Sequence, residues 1–216
     1  MATPHRYWRI FIDGTINGGN DYINLREIEL IGLDAVTDLT TPTTPMTASS
    51  QFNSTTGPDK AVDDNMGTLW HTVQATTHWI AADLGSPFVV RGVTITDGGN
   101  VLGRVPKNFR VQFSDNGTAW VDLYTAPTQP PWASLEKRSF IILPGHVSGT
   151  AKLDTGAAAS YVLVRDWSTH GHLAAVIPDV AGAWSADVLS AACDVTIIGP
   201  SGYQPVTHGP ITPIIT

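Results

Sequence analysis

The chain has 216 residues, enough for one large core or two modest ones, and 42% of them are hydrophobic. Only 14% are charged, with 12 Lys and Arg against 19 Asp and Glu, a formal net charge of −7. That balance excludes a nucleic-acid partner, whose phosphates need a basic surface, and docking on an anionic membrane.

Low charge with abundant Thr, Gly and Pro favours strands joined by loops over amphipathic helices. Tyr7, Arg9 and Phe11 alternate with Trp8, Ile10 and Ile12, a period of two that predicts a first strand. Gly14 to Asp21 reads as a loop, and Ile23 to Leu30 as a second strand. Residues 33–46, with Pro42 and Pro45 among threonines, read as an extended linker without strand signals. Ala48 to Trp70 suggests irregular loops, and strands resume at His78–Leu84, Val89–Asp97, Phe109–Ser114 and Trp120–Tyr124. Gly85-Ser86-Pro87 and Asp115-Asn116-Gly117 mark turns between them. A Pro-rich loop at 127–132 precedes a strand near Arg138–Leu143, and a boundary falls at Pro144-Gly145. Beyond it, short alternating segments at Val147–Leu153, Tyr161–Asp166, Leu173–Ile177, Ala183–Val188 and Asp194–Ile198 have the spacing of a small β-sandwich. Thr207–Thr216 reads as a loose, Pro-rich tail, and no helix longer than a turn or two is needed.

A single cysteine, Cys193, excludes an intrachain disulfide and a zinc cluster. No stretch approaches the roughly 18 apolar residues of a membrane span, so membrane insertion is not expected. The opening residues lack the apolar run of a secretory signal, and the chain is expected to stay in the cytoplasm of its making or to leave by another route.

Several pieces, in order, resemble the discoidin family, also called the coagulation-factor C-type domain and close to one class of carbohydrate-binding modules. They are ASSQF at 48–52, KAVDDNMGTLW at 60–70, HWIAADLGSPFVVRGVTI at 78–95 and RVPKNFRVQFSDNGTAWVDL at 104–123. The pattern RYWRI…NLREIELIG at 6–32 looks like the end of that family's domain, yet here it comes first. Either the domain is circularly permuted, or the chain starts with a fragment of a preceding repeat; permutation is preferred, because an orphan hairpin is unstable alone. Residues 147–206 resemble the carboxypeptidase regulatory-like, transthyretin-like sandwich, departing from it at Ala192 and Cys193. The expected fold is all-β: a discoidin-like jelly roll over 1–144, with 6–32 supplying closing strands, and a small Ig- or transthyretin-like β-sandwich over 145–216.

The resemblance implies a structural Ca2+ near 60–70, a cation that takes about six to eight oxygen ligands. Asp63 and Glu27 fit its carboxylate roles, while Lys60, Asn65, Thr68 and Arg26 would add carbonyl oxygens, Thr68 with its hydroxyl as well. The alternative is that Asp63 and Asp64 cap a turn. Sugar recognition needs an aromatic face and a few polar groups, for which His71, Asn100, Arg104 and Trp132 are the loop candidates. Trp132, in a stiff Pro-Pro loop, either points its indole outward or folds back over an open edge; Arg104 is expected to pair with a carboxylate within the fold. Trp8, Trp70, Trp79 and Trp120 read as core. His170 and His172 read as an exposed turn without a third ligand, and no nucleophile elbow, Walker loop or His-Glu-x-x-His occurs.

The two modules together resemble bacteriophage tail and baseplate proteins, which are assembled in the host cytoplasm. The resulting expectation is a non-enzymatic virion protein, held by other virion proteins, displayed in many copies and binding host-surface glycan. The rivals are a structural spacer, docking or capsid and neck decoration protein that binds no sugar, and a glycan-active enzyme.

Overall fold

A computed structural model of the chain describes residues 3–19, 21–34, 36–99, 101–143, 145–167, 169–188 and 192–215. Two compact units emerge: one comprises Thr3–Gly32 and Thr37–Ile142, the other chiefly Leu143–Thr216.

The first unit contains β1 (His5–Thr15), β2 (Asn24–Ile31), β3 (Met46–Ala48), β4 (Trp70–His71), β5 (His78–Phe88), β6 (Gly92–Asp97), β7 (Pro106–Ser114), β8 (Val121–Thr125) and β9 (Lys137–Ile141). A 3₁₀ turn, Pro58–Ala61, lies between β3 and β4, and no α-helix occurs among the described residues. The strands form an antiparallel five-stranded sheet in the order β3-β5-β1-β7-β8 and a four-stranded sheet in the order β4-β2-β6-β9. The unit is thus an all-β sandwich with its core between two sheets. β1 holds the middle of the larger sheet: Ile10 pairs with Ile80 of β5 and with Val111 of β7. β2 is likewise internal, bonded to β4 and β6.

The period of two in β1 sends Trp8, Ile10 and Ile12 into the core, where Ile80, Phe109, Val111, Ile28, Ile95 and Trp70 meet them in burial. Each such side chain contributes about 1.5–3 kcal/mol on burial. The two buried indoles also need partners for their N–H groups. Trp8 Nε1 donates to the His5 carbonyl at 2.9 Å, and Trp70 Nε1 to the Ser50 carbonyl at 3.0 Å.

Four expectations are corrected here. Trp79 and Trp120 are half-buried and not core, because Trp79 pairs with Phe11 and residues opposite one another share a face, the one turned away from Trp8 and Ile10. Gly85, at φ +73°, does not end its strand: the register shifts between His5 and Tyr7, and β5 runs on to Phe88. The irregularity leaves three extra residues on β5, and the left-handed freedom of Gly85 helps the strand absorb them. The segment read as a strandless linker ends in β3, where Met46 pairs with Ala82, and Asp38 bridges to Ile31. Finally, the terminal stretch is not a loose tail.

That last point belongs to the second unit, built from β10 (Gly145–Thr150), β11 (Tyr161–Asp166), β12 (His172–Val176), β13 (Ala183–Val188), β14 (Cys193–Ile198), β15 (Val206–Ile211) and β16 (Ile214–Ile215). β15 pairs with β14 and β16 with β10, so the tail closes both sheets, ordered β13-β10-β16 and β12-β11-β14-β15. Val147, Val162, Val164, Trp184, Cys193 and Val195 form this unit's own core. Cys193 is fully buried in that core, as a small packing residue.

Candidate functional site

Two groups of side chains stand out in the first unit. The first gathers at the β2 end nearest the 63–68 loop. β2 shifts register between Leu25 and Glu27, which sets Arg26 at an irregularity and presents buried Glu27 to the loop. There Glu27 Oε1 accepts the Asn65 N–H at 2.9 Å. Asp63 accepts the Asn65 N–H at 3.2 Å and the Thr68 hydroxyl at 2.8 Å, while Lys60 Nζ stands 3.7 Å from its other oxygen. The Arg26 guanidinium donates to the carbonyls of Met66 and Gly98 and reaches that of Thr68. Asp64 holds φ +56°, an αL turn position that Asp tolerates.

This arrangement concentrates negative charge away from water. Burial, together with Asp63, Asp64 and Glu29, raises the Glu27 carboxyl to about 7, although the Asn65 N–H pulls the other way. A hard divalent cation would answer that charge with oxygen ligands alone. The donors fit such an ion in kind: two carboxylates from opposite sides of the 33–46 segment, a hydroxyl and loop carbonyls. Among the described residues no three His, Cys, Asp or Glu converge as a metal cluster, so the fit rests on Glu27, Asp63 and backbone oxygen. The turn-capping alternative is visible too, since Asp63 does accept local bonds from Asn65 and Thr68.

The second group lies on the loop edge formed by residues 16–19, 21–22, 49–56, 71–77, 98–99 and 101–105. Backbone bonds knit these loops together: Phe52 N–H to the His71 carbonyl at 2.7 Å, Asn24 N–H to that of Arg104 at 2.8 Å, and a bridge from Asp21 to Ala75. Gly103 is favoured here by its φ of +89°, and a Cβ would also displace the Asn17 side chain. On this frame the Phe52 ring, 54% exposed, stacks on His71 at 4.7 Å and 13°. Tyr22 tilts against His71 at 5.4 Å, and the Arg104 guanidinium covers Tyr22 at 4.4 Å. Arg104 Nε is 3.7 Å from Asp21, whose other oxygen accepts from Asn17 at 2.8 Å. Burial, and secondarily Arg104, lowers the His71 pKa from 6.5, so the ring is neutral at pH 7 and can donate from one nitrogen and accept at the other. His71 Nε2 and Arg104 Nε are buried polar atoms without a hydrogen-bond partner.

His71 and Arg104 therefore stand together, and Asn100 lies outside the described residues. Trp132 does not join them. It is 5% exposed, tilted against Phe140 at 6.4 Å and covered by Arg138 at 4.3 Å, so the outward indole is corrected to the folded-back arrangement. The Pro-Pro stiffness that suggested display instead holds the ring down, fixed by Arg138 donating to the Pro130 and Pro131 carbonyls. Sequence reasoning passed over Phe52 and Tyr22. The available signal was an aromatic among polar loop residues, Ser49-Ser50-Gln51-Phe52-Asn53.

No curated protein sequence matches the chain. The model of the F5/8 type C domain matches residues 45–177. The match takes in β3 to β9 and runs on through β10, β11 and β12, while β1 and β2 lie outside it. With well over half of its length matched, the chain belongs to the F5/8 type C, or discoidin, domain family.

Proposed function

We propose that this chain is a non-catalytic bacteriophage virion protein of the tail, baseplate or fibre, whose jelly roll binds host-surface glycan at the Phe52–His71–Arg104 edge. The observation that carries the binding reading is the exposed Phe52 ring stacked on His71, with Tyr22 and the Arg104 guanidinium beside it. A ring face suits the C–H side of a sugar, and the polar side chains of the loop edge suit its hydroxyls. Shallow sites of this kind bind weakly one at a time, so display in many copies on a particle would supply the avidity. What supports the virion part is the joining of a family domain to a second small β-sandwich, which resembles tail and baseplate proteins. Assembly in the host cytoplasm and docking on other virion proteins go with that reading.

We also read a structural Ca2+ at Glu27 and Asp63, holding loop 63–68 without taking part in chemistry. β1 and β2 are read as the family's closing strands carried to the front, because they lie outside the matched residues and yet sit inside both sheets.

The test is binding of the labelled, clustered protein to a bacterial glycan array with and without calcium. Specific binding that Phe52→Ala and His71→Ala each reduce at least about tenfold is expected. No binding to any glycan would move the assignment to a structural spacer or decoration protein. The observation favouring that second reading is the exposure of Ile177 at 81% and Val180 at 101% in the second unit, apolar side chains suited to a protein partner. Polysaccharide turnover abolished by one Asp or Glu substitution would make the chain an enzyme and overturn both.

A further inference from the structure

The outer face of the five-stranded sheet carries a different chemistry from its inner face. Strand pairing sets Ala81, Arg9, Gln112 and Asp122 in one row across β5, β1, β7 and β8. The next row holds Trp79, Phe11 and Arg110. The Arg9 guanidinium lies 4.3 Å from the ring centre of Trp120, 5.4 Å from Phe11 and 5.8 Å from Trp79. It is a cation walled by three aromatic rings.

Its partners are incomplete for a charge in that position. Arg9 Nε donates to Gln112 Oε1 at 2.6 Å, a neutral acceptor. The nearby carboxylates are committed elsewhere: Asp13 and Asp122 both pair with Arg110, at 2.8 and 3.0 Å, and Asp122 also accepts from Gln112. Among the described residues no carboxylate forms an ion pair with Arg9. Burial and the neighbouring Arg110 work against its positive charge, and Asp122 offsets them only in part. Gln112 is 5% exposed and bridges Arg9 to Asp122, which locks the guanidinium in place.

We propose that this face is a second saccharide site, separate from the loop edge, for a chain of carboxylated sugars, with a uronate carboxylate on Arg9 and sugar ring faces on Trp79 and Trp120. A carboxylate matches the planar fork of a guanidinium and supplies the direct ion pair that Arg9 lacks among the described residues. Partly exposed indoles near one cation suit successive flat sugar rings, and an open sheet face suits an extended chain lying across strands. The ligand is therefore an acidic polysaccharide, even though the whole chain is acidic, because the recognition is local to one cation and falls with ionic strength.

The experiment titrates the full chain, at low salt, with hexamers of galacturonate and of glucuronate and with cellohexaose, read by calorimetry and tryptophan fluorescence. At least one uronate hexamer should bind and change the indole emission, and cellohexaose should not. Arg9→Gln should weaken that binding about tenfold or more, the loss expected for a charge-assisted pair. Its circular dichroism and unfolding midpoint should match the parent, and Trp120→Ala, at the edge of β8, repeats the test should Arg9→Gln unfold. Phe52→Ala should leave uronate binding intact, which separates this site from the loop edge. Failure of both uronates to bind at millimolar concentration, equal binding of cellohexaose, or binding indifferent to both Arg9→Gln and Trp120→Ala overturns the proposal.

Discussion

Tryptophan shows how far a single residue could be read. Trp8, Trp70, Trp79 and Trp120 all sit in strand-like sequence, yet only the first two are core. Alternation fixes which residues share a face, and it is silent on which face is inward; neighbouring strands decide that through register. In β1 the apolar parity is unmistakable, because Ile10 and Ile12 follow Trp8 on the same side. In β5 the same parity pairs Trp79 with Ala81, and the inner side belongs to Ile80 and Ala82. Trp132 carries the opposite lesson, since a rigid loop was legible and its direction was not. Trp132→Ala should therefore cost about 3–5 kcal/mol in urea unfolding, as large-to-small core changes do, while glycan binding by the folded fraction stays unchanged. Loss of binding without loss of stability would restore the outward indole. His78 gives a pH prediction at the same scale. The ring is fully buried, with Nδ1 unpartnered, and burial holds its pKa below 6.5 against the Asp21 and Ala75 backbone bonds. The unfolded chain then takes up the proton first, so stability is held above pH 6.5 and falls as pH drops below it. His78→Gln should flatten the decline in unfolding midpoint between about pH 7 and 5; an unchanged slope would assign that decline to other groups.

At the scale of elements, long alternating strands were legible and short ones were not. β3 and β16 have three and two residues, too few for a period to register, and they are defined by the neighbours they pair with. The bulge at Gly85 was misread for a related reason: a glycine at φ +73° serves a turn or a bulge equally well, and only the facing strand distinguishes them. The carboxylate pair proposed for calcium could be picked out as residue types because Glu27 and Asp63 lie in recognisable motifs, and β2 brings Glu27 to the loop whose Asn65 it binds. β1 and β2 supply the sharpest test. β1 is hydrogen-bonded along both edges and provides Trp8, Ile10 and Ile12 to the core. Removing residues 1–33 would separate β5 from β7 and strip β4 of the strand it pairs with. The truncated chain should lose the cooperative unfolding transition of the first unit, seen by calorimetry and near-ultraviolet circular dichroism. An intact transition would mean that the segment is dispensable, as expected of a fragment of a lost repeat.

The whole molecule adds a question that neither residues nor strands answer, namely whether its two units stand on their own energetically. Each has its own two sheets and its own buried cluster, so each has the means to unfold by itself. Calcium separates the two cases, because the proposed ion belongs to one unit only. A ligand that binds the folded state alone stabilises it by about 2.7 kcal/mol at 100 times its Kd, or roughly 6–10 °C for a unit of this size. Calorimetry should then show two transitions, and millimolar calcium should raise one while chelation returns it. Glu27→Gln sharpens the argument through its sign. Without calcium the Glu27 charge is held against burial and against Asp63 and Asp64, while a Gln oxygen can still accept the Asn65 N–H. The variant should therefore be no less stable than the parent at pH 8 in chelator, and it should lose the calcium response. A variant destabilised in chelator would show that the carboxylate serves the loop directly. A parent transition that calcium does not move would remove the ion from the fold, and a single transition moved as a whole would join the two units into one cooperative body.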